Sequence, residues 1–497
     1  MIDRAAFDEL VARGFTAIPL ARTLQLDRDT PVSLVQRFSP ARAVFLLESA
    51  SSGEATGRYS FVGLDTLWRL HTTDGRVIVD GTEPPGAVDQ PLAALRALLG
   101  RWRPYCPSDL PDLFGGAVGY VAYDYVRRLE RLERADAPEW PDVDFTFPGV
   151  VLVIDHRRYT TTAVAVALVD DDAGTAYEDA LGRLDSVVAT LLAPPPPVDP
   201  RVEALVATAP DARSRIDIRS RAAELSNFTR EEYVDVVERA QEHILAGDIF
   251  QVVVSQQFRR PTSVDPLTLY RVLRALNPSP YMYLLRAGDT TIVGASPEML
   301  VRVHDGEVST RPIAGTRPRG LTDEADASLE AEILADEKEL AEHVMLVDLG
   351  RNDVGRVAEP GTVRVASLAH VERYSHLMHL VSDVRGTLRP GLDAFDAFDA
   401  LFPAGTLTGA PKVRAMEIID EYEPTRRGAY GGALGYFALG GGADFAITIR
   451  TLSLRDGVAT VNAGGGIVAH SRPDAEYQEC VNKASAPLLA LAIADPD

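Results

Sequence analysis

Over residues 1–193 apolar and polar positions alternate in short runs, the period-two pattern of strands half-buried in a sheet. Ala43–Glu48, Tyr59–Val62, Leu67–Thr72, Val77–Asp80, Val150–Ile154 and Thr162–Val169 carry it, and Asp74-Gly75 predicts a hairpin turn. The pattern stops at Ala193-Pro-Pro-Pro-Pro197, which fits no strand or helix interior. The polar stretch from there to about Asn227 is expected to run as an extended or poorly ordered connector. From Thr229 the period lengthens. Thr229–Gly247 predicts an amphipathic helix, opened by a capping box of Thr229 and Glu232 and ended by Gly247; Ile249–Phe258 then alternates as a strand. Asp336–Leu349 reads as a helix. Near the end, Ala446–Leu454 and Val458–Val461 predict strands around Asp456-Gly457, the second running into Gly464-Gly465-Gly466, a triplet that reads most simply as a turn. Strands and helices abound without a regular βαβ rhythm, so the expected class is α+β rather than doubly wound. The expected division is an N-terminal region 1–193, a connector 194–227 and a C-terminal region 228–497.

Bulk properties narrow the partners. The 497 residues, 46% of them apolar, can bury a large core, and a net charge of −22 argues against nucleic acid or an anionic membrane as the ligand. No apolar run approaches the ~18–20 residues a membrane span requires. Met1–Leu10 lacks the charged-then-apolar form of a secretory signal, so a soluble cytoplasmic protein is expected. The two cysteines, Cys106 and Cys480, form no CxxC pair, which excludes a disulfide framework or a thiolate zinc site.

The candidate chemistry is anionic ligand plus hard cation. Glu339 and Glu342 share one face of a predicted helix, and Glu476 and Glu479 repeat the spacing in the last helix, with Lys483 one turn on. Each pair alone suits an ordinary surface helix; four carboxylates gathered in one pocket would need a cation among them. Oxygen-only ligands, few in number, suit Mg²⁺. Arg450, in an alternating strand, and Tyr430, ahead of Gly431-Gly432, can recognise a carboxylate by an arginine fork and a phenol. The backbone of Gly464–Gly466 can approach an anion without Cβ obstruction. Gly405–Lys412 superficially matches a phosphate-binding loop, but its lysine is misplaced and no Gly-Lys-Ser/Thr follows, so nucleotide binding is rejected there.

From Asn227 to Lys483 the chain resembles the chorismate-utilising enzymes, component I of anthranilate synthase in particular. The resemblance rests on Gly247–Gln251, Asn277–Met282, Ala295–Glu298, Arg311–Thr316, Glu342–Asp353, His376–Val381 and Gly405–Lys412, long motifs in one order. It implies an α+β fold with a large β-sandwich core and flanking helices. It also implies a lyase that converts chorismate and ammonia to anthranilate and pyruvate. Mg²⁺ would be held by Glu342 and Glu479, with Glu339 and Glu476 acting through water. Tyr430, Arg450, Gly464, Gly465, Gly466, Gly315, Thr316 and Lys483 would hold the substrate. Thr406, Gln251 and His379 would be catalytic, His379 serving the pyruvate-eliminating stage, with His376 a weaker candidate. Lysine usually stands at position 314 in the aminodeoxychorismate branch and at position 251 in isochorismate-forming relatives; this chain has Ala314 and Gln251. The nearest alternative, aminodeoxychorismate synthase component I, is disfavoured accordingly. Neither cysteine sits in a glutaminase setting, so ammonia is expected from a glutamine amidotransferase subunit, component II, in a heterotetramer. The resemblance makes 1–193 a regulatory region in which Glu48, Ser49, Arg58, Pro280, Tyr281 and Met282 bind L-tryptophan as feedback inhibitor.

Overall fold

The computed structural model describes residues 2–49, 57–84, 86, 89–132, 139–212, 216–320, 322–374 and 377–495, with the side chains of Thr316 and Lys338 excepted. Among these residues twenty strands join in one antiparallel sheet. Its spine is two long strands, Tyr59–Thr73 and Val143–Asp155, paired along most of their length. Each changes partner on its outer side. Tyr59–Thr73 pairs first with Ala43–Glu48 and then with Arg76–Asp80, while Val143–Asp155 pairs with Gly116–Val121 and then with Thr160–Leu168. The change falls where the register slips between Thr66 and Trp68, beside Asp65 at φ 57° and opposite Pro148, which has no N–H to give the ladder.

The sheet divides there into two wings. One continues through Tyr281–Ala287, Thr290–Ser296, Thr451–Arg455, Val458–Ile467 and Gln251–Pro261. The other continues through Ala433–Ala438, Ala443–Ile447, Met299–His304, Glu307–Thr310 and Leu377–Thr387. Their inner faces meet in a core where Phe45, Tyr283 and Ile292 pack with Val118, Tyr120 and Leu434, the sandwich expected of the fold. Helices close the outer faces. Leu184, Leu273 and Leu488 bring Ala173–Leu192, Pro266–Leu276 and Pro473–Ala494 onto the first wing, and Leu95, Phe398 and Val354 bring Pro91–Leu99, Ala394–Leu401 and Glu337–Gly355 onto the second. Among the described residues no helix is long and apolar enough to cross a membrane.

Several local expectations hold. Helix Arg230–Ala246 carries both bonds of the Thr229/Glu232 capping box and ends on Gly247 at φ 85°. Three differ. The stretch expected as an extended connector, 194–227, contains helices Pro200–Ala212 and Ile218–Leu225. Leu205, Val206 and Ala209 recur at helical spacing and pack into the first wing's outer core, which an extended chain could not do. The single strand expected over Ala446–Leu454 is two, Ala443–Ile447 and Thr451–Arg455, broken at Arg450, whose φ is 54°. The glycine triplet is no turn: strand Val458–Ile467 runs through it, with Gly464, Gly465 and Gly466 opposite Ser255, Val254 and Val253. Backbone partners across the sheet outweigh glycine's low strand propensity.

Candidate active site

The broken strand and the glycine strand build one wall. At φ 54° Arg450 leaves the side-chain alternation of its neighbours. Its Nη1 donates to Lys483 O at 2.7 Å. Arg450 is half-buried, and desolvation draws its pKa down against the opposing pull of Tyr430 and Glu479. A cation so placed is short of compensating charge and suited to an anionic ligand. Lys483 pairs with Glu479 at 2.7 Å and donates to Gly464 O at 3.0 Å, anchoring the last helix to the glycine strand.

Each glycine makes room for a different side chain. A Cβ at Gly464 would fall 2.7 Å from Val254 O and 3.1 Å from the Tyr430 hydroxyl. One at Gly465 would meet Glu476 Oε2 at 2.9 Å, and one at Gly466 would meet Gln251 Nε2 at 2.4 Å. Gln251 and Val252 in turn pair with Ala410 and Gly409, bringing the segment of Thr406 to the same place. Gly464→Ala is expected to retain the fold but weaken binding of the anionic ligand about tenfold, because strand or phenol must shift; this is read as a rise in its dissociation constant with the melting temperature near wild type.

Glu298 stands beside this wall. Its backbone is pinned between the wings: Ile447 N donates to Glu298 O at 3.0 Å, and Ser296 Oγ donates to Ile447 O at 2.6 Å. The side chain is 7% exposed, and Thr406 Oγ1 donates to Oε1 at 3.0 Å. Burial outweighs both that bond and the attraction of Lys483, raising its pKa to about 8. Glu298 is thus an acid that keeps its proton at neutral pH. It belongs to Ala295–Glu298, a segment read for resemblance and given no chemical role; the signal available was a lone charge inside a mostly apolar run, Ile292–Val301.

The opposite wall carries His379, in strand Leu377–Thr387, which pairs with Ile313–Pro318. Its Nδ1 lies 3.3 Å from Gly315 O, so the neutral ring donates there and presents Nε2 as the basic nitrogen. Burial lowers its pKa; Arg450 lowers it further and Glu372 opposes, placing His379 in the field of the first wall's guanidinium. The Tyr374 ring packs on it at 5.7 Å. Gly315, at φ 59°, leaves space for Glu339, whose Oε2 would be 3.2 Å from an added Cβ. Ala314 lies opposite Leu380. The side chain of Thr316 and all of His376 lie outside the described residues.

The four glutamates do not gather as the sequence suggested. Among the described residues no three His, Cys, Asp or Glu side chains converge as a ready metal centre. Glu339 pairs with Arg317 at 3.2 Å and Glu479 with Lys483, so neighbouring cations answer charges that a metal would otherwise answer. Glu342 sits one turn beyond Glu339 on Glu337–Gly355. The donor set still fits a hard divalent ion: every candidate ligand is a carboxylate, and Gly315 and Gly465 leave room beside Glu339 and Glu476.

Where the first wing joins the spine, at the end of strand Ala43–Glu48, Glu48 pairs with Met282 across the sheet, next to Tyr281 and Pro280. Its carboxylate accepts from the Tyr270 hydroxyl and, at 3.2 Å, from Arg274, two neighbours not anticipated from sequence. Arg58 turns to Asp155 at 2.8 Å, and Tyr281 donates to Asp444 at 3.1 Å. Ser49 directly follows Glu48. Cys480 is buried against the Tyr233 hydroxyl at 2.9 Å, and burial pushes its thiol up to about 12, an inert group.

The family model for chorismate binding enzymes matches residues 43–489. The chain is 49% identical to anthranilate synthase component 1 of Mycobacterium tuberculosis (strain ATCC 25618 / H37Rv), over 98% of this chain and 95% of that one. It is 46% identical to the protein of the same name from Pseudomonas putida, over 99% of each. Its fold superposes on the crystal structure of anthranilate synthase component I from Streptococcus pneumoniae TIGR4 with a TM-score of 0.73 and 34% identity, covering 94% of this chain and 99% of the other.

Proposed function

The chain belongs to the chorismate-binding enzyme family, and from that premise we propose that it is the chorismate-converting subunit of an anthranilate synthase, a lyase of tryptophan biosynthesis in the cytoplasm. The observation that carries this reading is the pair Ala314 and Gln251. No amine stands at either position to act as covalent nucleophile or to activate water, so ammonia itself must attack. Ammonia reaches the site from a glutamine amidotransferase subunit, component II, in a heterotetramer.

Arg450, Tyr430, Lys483 and the backbone of Gly464–Gly466 hold the substrate carboxylates, with Gly315 and Thr316 on the facing strand. Glu342 and Glu479 would hold Mg²⁺, with Glu339 and Glu476 through water, and the ion supplies charge neutralisation for a carboxylate and Lewis acidity. Ammonia adds at C2 of the ring while Glu298, held by Thr406, protonates the departing C4 oxygen. Gln251 packs against Gly466 and keeps water from being activated there. His379, neutral through burial, then takes the C2 proton at Nε2 as pyruvate leaves and the ring becomes aromatic. L-Tryptophan inhibits from the strand ends at Glu48, Ser49, Pro280, Tyr281 and Met282; Arg58, committed to Asp155, would have to turn to join them.

The test is direct. The purified chain is incubated with chorismate, MgCl₂ and ammonium at pH about 8.5, following anthranilate fluorescence and pyruvate. Equal yields of both, lost with EDTA and reduced by tryptophan, support the reading. Chorismate consumed to a non-fluorescent aminated product, with no pyruvate, would move the chain to the aminodeoxychorismate branch. His379→Ala is expected to slow pyruvate release about 10²-fold while chorismate is still consumed, so the aminated intermediate accumulates and is detected by chromatography.

A further inference from the structure

Two motifs singled out in the sequence end on residues that the chemistry above leaves unused. Glu342–Asp353 ends on Asp353 and Gly405–Lys412 on Lys412, and the fold joins them: Lys412 Nζ donates to Asp353 Oδ2 at 2.7 Å. Asp353 also lines a cavity of about 40 Å³ together with Glu298, Thr310 and Thr406, between apolar walls that include Leu349 and Leu401. About two or three waters fit such a volume, and four polar side chains are enough to hold them. Lys412 stands between exposed Pro411 and Val413, so the Asp353–Lys412 pair lies just beneath the surface. Glu298 lines the same cavity.

We infer that this cavity is a proton-reloading site, in which waters held by Thr310 and Asp353 return to Glu298 the proton spent in each turnover. The inference rests on the reaction proposed above. In that step ammonia's lone pair forms the C2–N bond, the ring π electrons shift, and the C4–O bond breaks. The oxygen leaves with its electron pair and takes the proton of Glu298, departing as water. The new ammonium group at C2 sheds one proton to solvent. One proton entering at Asp353 and passed along the waters to the Glu298 carboxylate closes the cycle, with no oxidant or reductant required. The thiol, the glycine strand and His379 lie outside this loop.

The distinguishing feature of reloading is that the first turnover does not need it. The full-length enzyme is mixed rapidly with chorismate and saturating ammonium, and chorismate loss is followed for wild type, Asp353→Asn and Thr310→Val. Both variants are expected to complete the first turnover at the wild-type rate and then slow about tenfold, giving a burst of one equivalent per site. Added imidazole, a small diffusible acid, should restore the steady rate. Thr310→Val loses one hydroxyl at nearly constant volume and keeps the test valid if Asp353→Asn folds poorly. First turnover and steady rate falling together, or neither changing, would overturn the inference. Absence of amination in wild type would instead strike the proposed reaction itself.

Discussion

Replacing Glu298 by glutamine is expected to slow chorismate amination by about 10²–10⁴-fold while chorismate affinity stays near wild type. Glutamine keeps the shape and can still accept from Thr406, but it has no acidic proton to give the departing oxygen. The carboxyl is suited to the task because burial raises its pKa to about 8, so at neutral pH it carries the proton that an ordinary carboxylate would have lost. The sign of the pH effect follows. Below about 8 the group is the neutral acid; above it the carboxylate predominates and the donor is lost, so kcat falls as pH rises through that value. Free ammonia becomes more abundant over the same range, so the two trends oppose when ammonium is the nitrogen source. The measurement is therefore made at saturating free ammonia, where wild type should show the alkaline fall and Glu298→Gln should show a low, flat profile.

A second large effect is expected from Arg427, this time on stability. Its side chain is 1% exposed and that of Glu423 4%. The guanidinium donates to both Glu423 oxygens, at 2.6 and 2.9 Å, and to Leu407 O and Val253 O at 2.6 Å each. It also stands over the rings of Tyr123 and Tyr430, at 4.6 and 5.6 Å. Arg427→Met would leave Glu423 charged, buried and short of its partner, at a cost of about 3–5 kcal/mol. Urea unfolding should record that loss as a lower midpoint. Arg427→Met combined with Glu423→Leu should recover part of it, since no buried charge is then stranded. Equal losses in the single and double variants would mean that the backbone bonds to Leu407 and Val253, rather than the charge pair, carry the stability.

Local features were the most legible in the sequence. The capping box at Thr229 and the turns at Asp74-Gly75 and Asp456-Gly457 depend on neighbours within a few residues, and the structure forms each. Long motifs also carried the family, and with it the sandwich. The pairing of Glu48 with Met282, or of Gly116–Val121 with Ala433–Ala438, has no local signature, because partners so distant meet only when the sheet closes. The break at Arg450 was hidden for the same reason: its left-handed backbone is imposed by the site around it, and an arginine in an alternating run advertises a strand. Glu298 was passed over because proton affinity is a property of surroundings; nothing in Ser-Pro-Glu says that a threonine over a hundred residues away will meet it in a buried recess. The paired glutamates erred in the other direction. Their spacing suggested convergence, and only the fold reveals that Arg317 pairs with Glu339 and Lys483 with Glu479.

The two spine strands bear on how the chain comes to exist in a cell. Tyr59–Thr73 and Val143–Asp155 both lie in the first half to leave the ribosome, yet the wings that extend from them are completed by strands translated much later. The nascent protein thus emerges with two open sheet edges, at Ala43–Glu48 and Gly116–Val121, exposed to any passing strand until their own partners arrive. Such a chain matures only once synthesis is nearly finished, and chaperones that shield strand edges during translation should govern its yield more than its final stability does.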